Sequence, residues 1–380
     1  MFVYLIGAGP GDPGLITCKG LDALSRADVV VYDYLASDVL LDNVRADAEK
    51  IYVGKIAGNH AMKQEDINAL LVEKAKEGKI VARLKGGDPY IFGRGGEEGR
   101  ALFDAGVPFC EIPGISSTIA GPAYAGIPLT DRTAASSVTI ITGHEDPAKP
   151  DSVHNWEALA KGASTLVFVM GMKNLPDISK NLIHAGMDPQ TPAALVHWGT
   201  MPTQKSLNST LADLPDAAVR EGFKNPSVIV VGNVVSLRDK LNWNEKRPLF
   251  GKSVVVTRSR EQASEMVAML MALGANVIQY PTISIEKMED YSLLDAALDR
   301  IAEFSWIIFT SVNGVRHFAR RLREKGLDSR ALAHAKIAAI GPVTRKEVEK
   351  LGIIPDFVPE TFVAESVAEG LCKFAVQDKE

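Results

Sequence analysis

The chain has 380 residues, 46% of them hydrophobic, and a formal net charge of −5. That length is enough for large cores in two or three domains, and the mildly acidic balance with scattered basic residues excludes a protein built to coat nucleic acid. The three cysteines, Cys18, Cys110 and Cys372, have neither metal-ligand spacing nor a disulfide framework, which predicts no metal site and a cytoplasmic setting.

No apolar run approaches the ~18 residues of a membrane span, so no membrane partner is expected. The N-terminus lacks a charged leader and does not read as a signal peptide. Phe2–Ile6 is a predicted strand, followed by the turn Gly7-Ala8-Gly9-Pro10-Gly11-Asp12-Pro13-Gly14 and a helix capped by Thr17. Val29–Tyr32 is a second strand, ending at Asp33. This imitates a dinucleotide-binding unit, with a glycine-rich turn and an acid about twenty residues on. The imitation fails at Asp12, where the third glycine of GxGxxG would fall, and at Pro10 and Pro13, which hold the backbone extended. Ile51–Val53 is a third strand, ending in Gly54-Lys55, and a helix over 64–77 stops at Gly78.

The most informative stretch is Arg83–Glu98, which holds Gly86, Gly87, Gly93, Gly95 and Gly96 between a buried-looking strand and a helix beginning near Glu97. Glycines let a ligand approach the backbone, and the end of a parallel strand is where open α/β sheets bind ligands. The Walker pattern is absent, and Asp88 with the following glutamates would repel a phosphate. The stretch therefore suits a nucleoside without phosphates, or a cationic ligand. Phe109–Ile112 is a further strand, followed by Pro113-Gly114-Ile115-Ser116-Ser117 and a helix of small residues.

Repeated strand–turn–helix units predict an α/β protein of two subdomains with mostly parallel sheets. The subdomains are placed at about 1–132 and 133–246, with the ligand in the cleft between them. Strands of the second are expected at 137–144, 165–170, 192–197 and 227–231. The polar stretch Leu241–Pro248 reads as a linker, and a partial α/β module follows over 251–380 with strands at 253–258, 306–309 and 336–340.

The set Gly7–Asp12, Tyr32-Asp33, Val53-Gly54-Lys55, Arg83–Glu98, Pro113–Ser117 and Gly126–Thr130, extended by Val167–Gly171 and His197–Thr200, resembles the uroporphyrinogen-III C-methyltransferases, within the tetrapyrrole methylases. The match covers roughly residues 1–243. From Gly251 the chain resembles the beginning of uroporphyrinogen-III synthase, through Thr257-Arg258, Phe309–Asn313 and Gly341–Thr344. The resemblance implies two α/β domains around S-adenosylmethionine, a homodimer, and two methyl transfers to uroporphyrinogen III giving precorrin-2. Siroheme and cobalamin both remain open as destinations. It assigns the methyl donor to Pro10, Gly86, Gly87, Asp88, Ile91, Ser116, Ser117, Met170, Gly199 and Ser227.

Asp33 is the candidate base for the proton that leaves after methylation, with Lys55 as its catalytic companion. The substrate carries eight carboxylates, and Arg83, Lys85, Arg94 and Arg132 are the candidate cations to hold them. A synthase of that family has two α/β domains, with the chain leaving the first near Pro281 and later returning. The module is therefore expected to be incomplete, without synthase activity, and less stable than residues 1–243. Two other readings are a methylase acting on a different substrate and a nucleotide-binding oxidoreductase or regulatory module.

Overall fold

The computed structural model describes residues 1–35, 38–54, 62–143, 154–258, 260–283 and 285–374. They fall into two compact units, Met1–Ser284 and Ile285–Glu380. The first sheet comprises β1 (Phe2–Gly7), β2 (Val29–Tyr32), β3 (Glu49–Tyr52), β4 (Ile80–Lys85) and β5 (Phe109–Ile112), in the order β3-β2-β4-β1-β5. Every pairing in it is parallel. The inner strands β1 and β2 read as near-continuous apolar runs, as expected of parallel strands covered on both faces. The alternation along β1 sends Val3 and Leu5 to one core, with Leu71 and Leu102, and Ile6 to the other, with Leu24 and Leu84. Leu24 sits on α1 (Cys18–Ser25), Leu71 on α2 (Gln64–Lys76), Leu102 on α3 (Gly95–Asp104) and Leu84 on β4.

The predicted punctuation holds. The Thr17 hydroxyl accepts from the Gly20 amide at 3.1 Å at the start of α1. Gly78, with φ of +87°, ends α2 in the left-handed conformation that favours glycine.

The second sheet contains β6 (Val138–Thr142), β7 (Thr165–Val169), β8 (Pro192–His197), β9 (Lys205–Thr210) and β10 (Ser227–Val231), in the order β6-β7-β10-β8-β9. Only β6 and β7 run parallel; β10 is antiparallel to both neighbours, and β9 is antiparallel to β8. Seven of the ten pairings among the described residues are parallel, and the three antiparallel ones all lie here. The edge strand β9, Lys-Ser-Leu-Asn-Ser-Thr, has no place among the expected strands, because an edge strand with one half-buried leucine carries little apolar signal.

Helix α4 (Ser117–Tyr124) follows β5 of the first sheet and packs against β7, β8 and β10 of the second. Its C-terminal end receives the polar stretch after residue 241, which is anchored there. Trp243 packs edge-on against Tyr124 at 5.0 Å between ring centres and donates to the Ala123 carbonyl. Glu245 accepts from Gln204 Nε2, Ser206 Oγ and Arg238. Strands β11 (Ser253–Val256) and β12 (Asn276–Gln279) form a parallel pair in the first unit. Strands β13 (Trp306–Phe309) and β14 (Lys336–Ala339) form another in the second unit, over a core of Phe309, Val315, Ile337 and Val348.

The Tyr124 hydroxyl donates to Asp12 Oδ2 at 2.8 Å, tying α4 to the turn after β1. Burial first, and then this bond, raise the phenol above its ordinary value of 10.0. A raised folded-state value gives stability that is complete below the unfolded value and lost as pH climbs through the folded one. The melting temperature is expected to fall as pH rises past about 10, and to fall less in Tyr124→Phe. Equal slopes in melts of the two proteins across that range would show that the bond contributes nothing.

Candidate functional site

Because the first sheet is all parallel, the C-terminal ends of its strands share one edge. Along that edge lie Gly54 after β3, Asp33 after β2, the 86–94 loop after β4, the 8–14 loop after β1 and the 113–116 loop after β5. The turn after β1, Asp33, Gly54, the β4 loop and the turn after β5 therefore stand on one rim, where open α/β sheets bind ligands, whereas Gly126–Thr130 follows the helix beyond it. Lys55 lies outside the described residues.

The centre of the rim is backbone against backbone. Gly9 and Gly87 form an antiparallel bridge, with amide-to-carbonyl distances of 2.7 and 3.2 Å. A Cβ on Gly114 would be driven into the Gly87 carbonyl and the Gly7 Cα. Gly87 has φ of +70°, while the nearest atom to a Cβ there would be 3.8 Å away at Ser116 Cα. Its glycine is thus required by conformation, and that of Gly114 by space.

Asp88 organises this rim from within. Its Oδ1 accepts from the amides of Tyr90 and Ile91 at 2.8 and 3.0 Å, and its Oδ2 from the amide of Gly114 at 3.1 Å. One carboxylate thus joins the β4 and β5 loops. Partial burial, and then the neighbouring Asp88 carboxylate, push the Glu111 carboxyl above its ordinary range. A rim with these acids favours a cationic ligand and disfavours a phosphate. Ile91 is exposed, Pro10 is half-buried, and Ser116 caps α4 by accepting from the Thr118 amide, with Ser117 as the first helical residue.

Asp33 is held by a buried ion network. Arg83 Nη2 donates to Asp33 Oδ2 at 3.0 Å, and Leu35 N donates to Oδ1 at 3.2 Å. Arg83 Nε donates to Glu98 Oε1 at 3.1 Å, and Lys85 Nζ donates to the same oxygen at 2.7 Å. The side chains of Arg83, Lys85 and Glu98 are 3%, 5% and 0% exposed, against 27% for Asp33. Burial first, and then Arg83, lower the Lys85 ammonium below its ordinary value.

This corrects the expectation that Arg83 and Lys85 grip substrate carboxylates. Both lie on one face of β4, inside the protein, and both are committed to Glu98. The missed residue is Glu98. The available signal was a strand buried on both faces with cations at alternate positions, which demands a buried acid. Arg94 and Arg132, by contrast, are exposed, and Arg94 pairs with Glu97 at 2.7 Å.

The second sheet brings its own candidates together. Since β10 is antiparallel to β7 and β8, Ser227 at its start lies beside His197, and Val228 beside Val169. Met170, Gly199 and Ser227 therefore share one edge. Ser227 Oγ donates to the Lys224 carbonyl at 2.6 Å, and Met170 is 50% exposed with φ of +56°. The two edges meet where the Asp12 amide donates to Thr200 Oγ1 at 3.1 Å, and where a Cβ on Gly199 would lie 2.6 Å from Gly121 Cα on α4.

Residues 3–215 match the family model for tetrapyrrole (corrin/porphyrin) methylases. The chain belongs to the tetrapyrrole methylase family. Residues 264–380 match a second model, uroporphyrinogen-III synthase HemD. A porphyrin biosynthesis protein HemD of Ruminiclostridium josui is 44% identical over 98% of this chain and 74% of its own length. A uroporphyrinogen-III C-methyltransferase of Bacillus subtilis is 42% identical over 93% of this chain and 72% of its own. The solved uroporphyrin-III C-methyltransferase of Thermus thermophilus, complexed with S-adenosyl homocysteine, is 36% identical, with a TM-score of 0.53, and is matched over 62% of this chain and 100% of its own. In this methylase a Cβ on Gly114 has no room among the rim backbone. Gly114→Ala is expected to destabilise the protein by about 1–3 kcal/mol, the usual range for overpacking. An unchanged midpoint in urea would mean that the rim backbone is free to move apart.

Proposed function

We propose that the chain is an S-adenosylmethionine-dependent uroporphyrinogen-III C-methyltransferase that methylates carbons two and seven in succession, giving precorrin-2 through precorrin-1. The observation that carries this reading is the acid-rich, glycine-lined rim with Asp33 held at its side, in a chain of the tetrapyrrole methylase family. Bound there, S-adenosylmethionine supplies a methyl group activated on a sulfonium. The rim fits that group: it offers backbone amides and carbonyls, and Asp88 and Glu111 give it a negative field suited to a cation. The residues proposed to line it are Pro10, Gly86, Gly87, Asp88, Ile91, Ser116 and Ser117, with Met170, Gly199 and Ser227 from the second edge.

The protein's contribution is chiefly orientation, which can account for roughly 7–11 kcal/mol of a barrier. Asp33, fixed by Arg83 and the Leu35 amide, receives the proton that leaves the methylated ring. Lys55 is the second catalytic candidate. The exposed guanidinium groups of Arg94 and Arg132 hold substrate carboxylates. The active form is read as a cytoplasmic homodimer, and a monomeric mass at micromolar concentration in light scattering would contradict the association.

Residues 251–374 are read as insufficient alone for closing a linear tetrapyrrole. What supports this is that their described strands make two pairs, with Val255, Ile278 and Tyr280 exposed on the first. Purified protein is expected to methylate uroporphyrinogen III but not to make it from hydroxymethylbilane, and efficient cyclisation would overturn that part of the reading.

Asp33→Ala is expected to keep its affinity for S-adenosylmethionine and to lose about 10²–10⁴-fold in turnover, the usual worth of a general base. Near-native turnover would remove Asp33 from the mechanism. Gly87→Val should lose the methyl donor, because valine does not adopt φ of +70° without strain. Unchanged calorimetric affinity in that variant would make the β4 loop a plain turn. Binding of a dinucleotide in place of S-adenosylmethionine would favour the oxidoreductase reading.

A further inference from the structure

We propose that Glu98 is a positioning residue for methyl transfer: acting through Arg83, it fixes the direction of the Asp33 carboxylate and balances the positive charge behind it. This rests on the reading of Asp33 as the proton acceptor. Glu98 is fully buried, in the first turn of α3, and faces neither the rim nor solvent.

The geometry of the donors carries the argument. Three donors converge on Glu98 Oε1: Arg83 Nε at 3.1 Å, Lys85 Nζ at 2.7 Å and Gln64 Nε2 at 3.3 Å. Glu98 Oε2 is buried with no hydrogen-bond partner among the described residues. An isolated arginine–carboxylate pair favours the two-pronged arrangement, in which both oxygens are used and both outer nitrogens of one guanidinium edge are consumed. Here Glu98 takes only Nε, and Nη2 is left to donate to Asp33. Nη1 is fixed on the carbonyls of Val31 and Leu84 at 3.4 and 3.1 Å. A planar guanidinium held at Nε and Nη1 has no freedom to swing, so the direction of Nη2 is set before any ligand binds.

Charge points the same way. Arg83 bonds Asp33, and Lys85 and Glu98 stand behind Arg83 on β4 and α3. The two cations and two carboxylates sum to zero. Of the four, only Asp33 reaches solvent to any extent, with 27% of its side chain exposed against 5% or less for the others. Without the Glu98 charge, two buried cations would face one carboxylate. They would stabilise its ionised form and make it a weaker base.

The test uses the full-length protein with uroporphyrinogen III and S-adenosylmethionine. Glu98→Gln keeps an oxygen for Arg83 but removes the charge. It is expected to lose about tenfold or more in kcat, a fraction of a general base's usual worth. The affinity for S-adenosylmethionine should not change, and the acidic limb of the kcat profile should move to lower pH. The double variant Lys85→Met with Glu98→Gln restores the balance, and its limb should return to the native position. A lowered melting temperature with an unmoved limb in Glu98→Gln would make Glu98 merely structural and overturn the proposal. If the single variant does not fold, the balanced double variant decides, and a displaced limb there overturns it. Asp33→Asn separates the two levels: if it stays active, the acceptor reading itself falls; if it is inactive while Glu98→Gln behaves as native, only the positioning role falls.

Discussion

Three parallel strands end so close together that no side chain fits between them. Gly7, Gly87 and Gly114 meet backbone to backbone, and the Gly9–Gly87 bridge extends the contact beyond the sheet. The arrangement turns three loops from distant parts of the sequence into one rigid rim. Asp88 seals it by taking amides from two of the loops. Because peptide groups and carboxylates line the rim, its chemistry depends on where the backbone goes more than on which side chains it bears.

Cost accompanies this geometry. Among the described residues, the non-glycine residues with positive φ are Phe92, Arg94, Met170, Trp198 and Thr200. All five follow β4, β7 or β8, at the edges that form the candidate site. Strained backbone gathers where function over-determines it, at about 1–3 kcal/mol for each such residue. The buried quartet around Glu98 is a second expensive feature, since buried ion pairs seldom repay their desolvation. In both cases residues 1–243 hold, at the site, conformations and charges that a purely structural protein would not keep.

Much of this was legible in the sequence. Glycine spacing located the rim loops, and the absence of the Walker pattern together with Asp88 turned the reading away from phosphates. What escaped has physical reasons. Arg83 and Lys85 look like loop cations when read beside Gly86, yet they belong to a strand covered on both sides, where a charge survives only with a partner. That partner, Glu98, lies 15 residues after Arg83 and 13 after Lys85, beside Glu97 in a pair of acids that reads as a solvated helix start. The antiparallel run of the second sheet was hidden for another reason. Its edge strand β9 carries serine, asparagine and threonine, and pairing direction leaves no trace in hydrophobic periodicity.

Strand β1 lies between β4 and β5, with Ile6 beside both Leu84 and Ile112. On the ribosome, β1 is made well before either neighbour. At roughly 5–20 residues per second, it waits on the order of 4–20 seconds for them to emerge. During that wait an apolar strand with two open edges is exposed to other chains, a hazard that chaperones exist to contain. The rim glycines share that delay, so the capacity to bind a ligand cannot arise piecemeal during synthesis. It arrives only when the sheet closes around its oldest strand.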